Sequence, residues 1–99
     1  MTIPKIVTVE PPDVEEGGPV TFEGEHLGLV NWAVFTDKNK NKCIAPARGE
    51  DVGRAARVEH RPKDLITGAG TAYLSTADDQ SGIGPDNSSN EIVISFVEK

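Results

Sequence analysis

The chain has 99 residues, 36% of them hydrophobic, with one Trp, one Tyr and three Phe, enough for one domain with a single modest aliphatic core. Its one cysteine, Cys43, excludes an intramolecular disulfide, and no run approaches the ~20 apolar residues of a membrane-crossing helix. The formal charge of −6 is uneven, with −5 over residues 1–36, +4 over 37–63 and −5 over 64–99, a balance that argues against general nucleic-acid binding.

No long stretch shows helical periodicity. Short β-rich runs alternate instead with clusters of Gly, Pro, Asn and Asp, which is the all-β pattern. The first predicted strand, 5–10 (KIVTVE), stops at Pro11-Pro12, because proline cannot donate to a ladder. A turn over 15–19 (EEGGP) follows. Strand 20–23 (VTFE) alternates Val20 and Phe22 with Thr21 and Glu23, and Gly24 marks a bulge. Strand 30–36 (VNWAVFT) puts Trp32 and Val34 on one face. The run DKNKNK at 37–42 leads into a short strand 43–45, ended by Pro46, and 48–54 reads as a polar loop. Strand 55–60 precedes Pro62, Gly68-Ala69-Gly70 reads as a hinge or bulge, and strand 71–76 carries Tyr73. Residues 78–90 (DDQSGIGPDNSSN) form a long polar loop. The last strand, 91–97, alternates Ile92, Ile94 and Phe96 with Val93, Ser95 and Val97. Read as an edge, it offers a route to self-association. About seven short strands in one domain spanning 1–99 predict an all-β sandwich.

DKNKNK starts like a calcium loop, with Asp37, Asn39 and Asn41 at alternate positions. An EF-hand loop needs glycine at its sixth position and a bidentate glutamate at its twelfth. Those positions are Lys42 and Arg48 here, and lysines stand between the oxygen ligands. The pattern instead predicts a hairpin turn, since Asp and Asn bond their own backbone and tolerate positive φ, with the lysines keeping the tip wet. Asp78, Asp79 and Asp86 have no partner base in sequence and read as a solvated loop, with weak cation binding as the alternative. His26, His60 and Cys43 do not complete a zinc site, and their spacing is not that of a nucleophile and its base. Cys43 reads as a small buried apolar residue, and Asn87-Ser88-Ser89, which fits a glycosylation pattern, as a polar turn. These readings predict no catalytic site, no cofactor and no metal.

The stretch Pro4-Lys5-Ile6-Val7-Thr8-Val9-Glu10-Pro11, followed by Gly17-Gly18-Pro19-Val20-Thr21-Phe22-Glu23-Gly24-Glu25-His26-Leu27, resembles the opening of IPT/TIG domains. That opening is a first strand ending in proline, a Gly-Gly turn, a Val-Thr-aliphatic strand, a glycine and an apolar residue soon after. Val34-Phe35 fits the family's next strand, and Cys43-Ile44-Ala45-Pro46 echoes a later one. The likeness covers the first third of the chain well and the remainder poorly. It implies an immunoglobulin-like β-sandwich of about seven antiparallel strands. It also implies a binding, spacing or decorating module and no reaction. In such a sandwich Trp32 packs between the sheets; the alternative is an exposed stacking platform.

The start MTIPKIVTVE lacks a basic segment followed by an apolar run, so no secretory leader is expected and the chain reads as soluble and made in the cytoplasm. The expected function is a virion structural protein: an immunoglobulin-like decoration or accessory protein on a bacteriophage head or tail. Its partner is then a capsid or other virion protein, or a second copy of itself, with neither nucleic acid nor membrane involved. The basic segment is the expected docking face, with Lys38, Lys40, Lys42, Arg48, Arg54, Arg57 and Arg61 as partner-binding residues; the plain alternative is a solvated face. The competing function is an interaction or carbohydrate-binding module of a larger cell-surface protein or polysaccharide-degrading enzyme. Trp32 and Tyr73 would then stack on a glycan.

Overall fold

Alternation along each strand decides which side chains meet. The computed structural model describes residues 3–98. In β3 (Val20–Glu25) Val20 and Phe22 are buried, while Glu23 and Glu25 are turned out. In β7 (Ala55–Val58) Ala56 and Val58 are buried between the half-buried Ala55 and Arg57. These two strands pair with each other, and β1 (Lys5–Glu10) and β6 (Arg48–Glu50) complete a four-stranded sheet in the order β1-β3-β7-β6. The second sheet holds β2 (Asp13–Glu15), β9 (Ile92–Val97), β8 (Gly68–Ser75), β4 (Trp32–Thr36) and β5 (Lys42–Pro46), in that spatial order. This is the strand arrangement of an immunoglobulin-like sandwich, ABED against GFCC′, with the start of the chain shared between the sheets.

The core lies between the sheets. Phe22 of the first sheet meets Phe35 of the second with ring centroids 6.3 Å apart, and Phe35 meets Phe96 edge-on at 6.1 Å. Leu74, Ile94, Val14 and Val58 fill the space around these rings. Each fully buried side chain of this size stabilises the fold by about 2–3 kcal/mol relative to an exposed one.

The structure departs from the sequence reading in several places. Nine strands stand among the described residues, not seven, and β2 pairs with β9 in parallel. Both additional strands, β2 and β6, are three residues long. β2 follows two prolines and supplies one core side chain, Val14, which is 0% exposed, too short a pattern to show alternation. Gly68-Ala69-Gly70 is not a hinge but the start of β8. Gly70 is required there because a Cβ would collide with the Phe96 ring and the Thr36 carbonyl. β9 is not an edge, since it lies between β2 and β8.

Trp32 is the other correction. Trp32 and Val34 do share a face, but Ala33 and Phe35 turn into the core, so that face looks outward. Phe35 wins the inward position because its ring fits between Phe22 and Phe96.

Candidate interaction site

The register divides the molecule into two ends. At one lie the 37–41 hairpin between β4 and β5, the Gly17-Gly18 turn and the segment 59–67. At the other, three loops converge: 26–31 between β3 and β4, 51–54 between β6 and β7, and 76–91 between β8 and β9.

Asp37 organises the hairpin end. Its Oδ1 accepts from Asn39 N and Asn41 N, both at 2.9 Å, and its Oδ2 accepts from Asn41 Nδ2 and from Ile66 N, both at 3.1 Å. Lys40, at φ 68°, closes the turn by donating to the Asp37 carbonyl at 2.9 Å. Burial pushes the Asp37 carboxyl up, but the bonds from Ile66, Asn41 and Asn39 outweigh it and hold the pKa below the ordinary 3.8. Both oxygens of the loop's one carboxylate are therefore committed to the protein's own donors.

Three loops far apart in sequence build the opposite end. Leu27 N donates to Gly53 O at 2.8 Å, which ties the first loop to the second. Gly49 allows this approach, because a Cβ on it would collide with the Leu27 carbonyl and Gly28. Asn31 N donates to Ser75 O, its Nδ2 donates to Ala77 O at 3.1 Å, and its carbonyl accepts from Ala47 N. The long polar loop is ordered by Asn87. Its Oδ1 accepts from Ser75 Oγ at 2.9 Å and Gly84 N at 3.0 Å, and its Nδ2 donates to Gly82 O at 2.9 Å.

Between these loops lies an open cleft of about 1120 Å³, lined among others by His26, Leu29, Asn31, Val52, Asp78 and Asp86. Two features of its rim are unusual. Leu29 is 80% exposed and Val52 fully exposed, so two aliphatic side chains stand in solvent at neighbouring loop tips. Val52 also has left-handed backbone (φ 54°, ψ 41°), which a β-branched residue rarely adopts, and His26 has φ 60°. Among the described residues the charged ones lining the cleft are Asp78 and Asp86, and no lysine or arginine lines it.

A second surface is the outer face of the β2-β9-β8-β4-β5 sheet. Tyr73 lies opposite Val34, Val34 opposite Ile44, and Trp32 opposite Ser75, so Trp32 and Tyr73 are diagonal neighbours on that face. Both are half-buried. The Trp32 indole N–H is covered and meets no acceptor among the described residues.

The expected partner-binding residues do not form one patch. Lys38, Lys40 and Lys42 are exposed together at the hairpin end. Arg48 and Arg57 lie side by side on the outer face of the four-stranded sheet, where Arg48 contacts Glu50 at 3.4 Å and Glu59 at 3.2 Å, and Arg57 contacts Glu59 at 3.4 Å. Their charge is met locally. Arg54 is exposed at the loop end.

Arg61 is a correction: it is 3% exposed and unavailable to a partner. Its Nε donates to Glu15 O at 3.0 Å, one terminal nitrogen donates to Val97 O at 3.4 Å, and its guanidinium lies 5.3 Å from the Phe96 ring centre. Burial lowers its pKa, against the opposing pull of Glu16 and Cys43. Contiguity in sequence misled here because the chain turns after β7 and carries Arg61 in beneath the Glu15 and Val97 carbonyls.

The three candidate chemistry residues are also dispersed. His26 lines the loop-end cleft. His60 is at the other end, donating through Nδ1 to Gly17 O at 3.0 Å. Cys43 packs against the core from β5, and burial, then Asp64 and Asp37, push its thiol pKa up. Among the described residues, no three His, Cys, Asp or Glu side chains are grouped so as to hold a metal ion.

Sequence reasoning missed the cleft, and the only local sign of it is an aliphatic residue beside glycine in a polar loop, at Gly28-Leu29 and Val52-Gly53. No protein-family model matches the chain, and no curated protein matches it.

Proposed function

We propose that the chain is a non-enzymatic binding domain that attaches to a larger protein assembly, in its finer form as a decoration or accessory protein on a bacteriophage head or tail. One observation carries the binding reading: Leu29 and Val52 stand exposed on the rim of the open cleft, with Val52 held in left-handed backbone. Exposed aliphatics on adjoining loops gain by being covered, and strained backbone concentrates at positions that serve contact. The virion reading is supported by the resemblance of the first third of the chain to a family used for binding and decorating.

The test is sedimentation of a native lysate through a density gradient, with the chain followed by antibody. Co-migration with particles of virus size is expected. Recovery at the top of the gradient, or with cell envelope, would overturn the virion reading.

A second reading is favoured by Trp32 and Tyr73 sharing one outer sheet face. Under it the domain binds glycans there, and its fluorescence shifts saturably on titration with oligosaccharides. A flat titration removes that reading.

A further inference from the structure

The cleft at the loop end says more than that something covers it. Its rim is aliphatic, through Leu29 and Val52, and its charged lining residues, Asp78 and Asp86, are both acidic. An apolar anchor entering here is desolvated beside two carboxylates, with no cation among the described lining residues to answer them. An acidic occupant would add like charges at a partly desolvated site, and like-charge contact suppresses binding. A neutral apolar occupant would leave the two carboxylates without a partner. The occupant that satisfies both features is a polypeptide segment with a bulky aliphatic or aromatic side chain next to a lysine or arginine.

A second copy of this chain fits less well. Its exposed lysines, Lys38, Lys40 and Lys42, sit at the end opposite the cleft, as head-to-tail contact requires. The hairpin that carries them, DKNKNK, has no apolar side chain to enter the cleft. The expectation that the basic segment is the docking face loses its geometry: Arg48 and Arg57 are paired, Arg61 is buried, and Arg54 stands at the other end from the hairpin lysines.

We infer that the loop-end cleft of this domain is its docking site and that it recognises a basic-apolar segment of a partner protein, Leu29 and Val52 gripping the apolar anchor and Asp78 and Asp86 the adjacent cation. This inference rests on the binding-domain reading above.

The test is selection of a displayed library of random peptides on the intact protein. Enriched peptides are expected to carry Lys or Arg beside Leu, Ile, Phe or Trp, and to bind more weakly as salt is raised. Binding should weaken at least about tenfold in Leu29→Asp combined with Val52→Asp, and comparably in Asp78→Lys combined with Asp86→Lys. Both pairs change exposed side chains, and thermal melting checks that each variant is folded. Replacing Lys38, Lys40 and Lys42 with glutamate should leave binding unchanged.

Enrichment of acidic or wholly polar peptides, failure to enrich any, or binding that survives both double variants overturns the inference. So does self-association of the purified protein that Leu29→Asp abolishes, since the occupant is then a second copy. The two proposals fail separately. A domain that selects basic-apolar peptides but does not travel with particles loses the virion reading alone. Particle binding that ignores Leu29→Asp with Val52→Asp loses the cleft alone.

Discussion

The two ends of the sandwich use their side chains in opposite ways. At the hairpin end the Asp37 carboxylate takes donors from Asn39, Asn41 and Ile66, and the Arg61 guanidinium holds the Glu15 and Val97 carbonyls. Apart from its solvated lysines, Asp64 and the partly exposed Ile66, that end is closed on itself. At the loop end the polar groups of Asn31 and Asn87 are equally engaged, yet Leu29 and Val52 project into solvent. The fold therefore satisfies its loops at both ends, and what sets the loop end apart is how far its aliphatics stand out: Leu29 is 80% exposed and Val52 fully, against 36% for Ile66 at the hairpin end. An end whose charges are internally bonded has little to offer a partner; an end with uncovered aliphatics does. Substitutions at the two ends should separate stability from binding.

Arg61 should give the largest effect. It crosslinks the two sheets, because it follows β7 of one and bonds β2 and β9 of the other. Arg61→Ala removes the donors to two carbonyls and the packing on Phe96. The expected loss is about 3 kcal/mol, read as a lower denaturant midpoint. Arg61→Lys should recover only part of it, since a point charge cannot span both carbonyls. Neither change should alter peptide or particle binding under conditions where the protein remains folded. If Arg61→Ala costs nothing, the closed end is not held as described; if it abolishes binding in the folded state, the division between the ends is wrong.

Asp37 sharpens the same end through pH. Its folded pKa lies below the ordinary value of 3.8 because hydrogen bonds from Ile66, Asn41 and Asn39 outweigh burial. A depressed carboxyl contributes stability that is present above the unfolded pKa and lost as pH falls through the folded one. Acidification below 3.8 should thus melt the hairpin end first. Acid also relieves repulsion in a chain with 16 acids and a net charge of −6, which works the other way. The comparison that isolates Asp37 is wild type against Asp37→Asn. The stability gap between them should be widest near neutrality and should close in acid, and a gap that does not change with pH would remove the carboxylate from the account.

Much of the fold was legible from residue order, and the reasons the rest was not are physical. Alternation in 20–23 and in the last strand, with turn residues between, was enough for an all-β sandwich. It could not reveal β2 or β6, which are three residues long and take their conformation from the strands they pair with. Alternation also showed that Trp32 and Val34 share a face without saying which face. That was decided by Phe35 fitting between Phe22 and Phe96, residues distant in the chain. The basic segment looked like a patch because its charges are adjacent in sequence, and the sheets scatter them. The cleft needed three loops brought together, which no local pattern encodes; a single exposed aliphatic beside a glycine is common on surfaces.

The smallest predicted effect bears most directly on the open end. Val52 has φ 54° with a fully exposed side chain, so burial returns nothing for its left-handed backbone. Left-handed helix conformation costs an L-residue roughly 1–2 kcal/mol, and asparagine bears it more easily than a β-branched side chain. Val52→Asn should therefore stabilise the domain by about 1 kcal/mol, which for a domain of this size raises the Tm by roughly 4–8 °C. The same change removes one of the two aliphatic groups on the rim, so it should weaken binding of the selected peptides while the protein becomes more stable. Lys40 shows that the opposite signs are specific to the open end. It is also left-handed, at φ 68°, but at the hairpin, so Lys40→Asn should add stability and leave binding untouched. A Val52→Asn variant that is less stable would mean that the fold holds Val52 in place, and one that binds the selected peptides unchanged would mean that its exposure at the rim is incidental to contact.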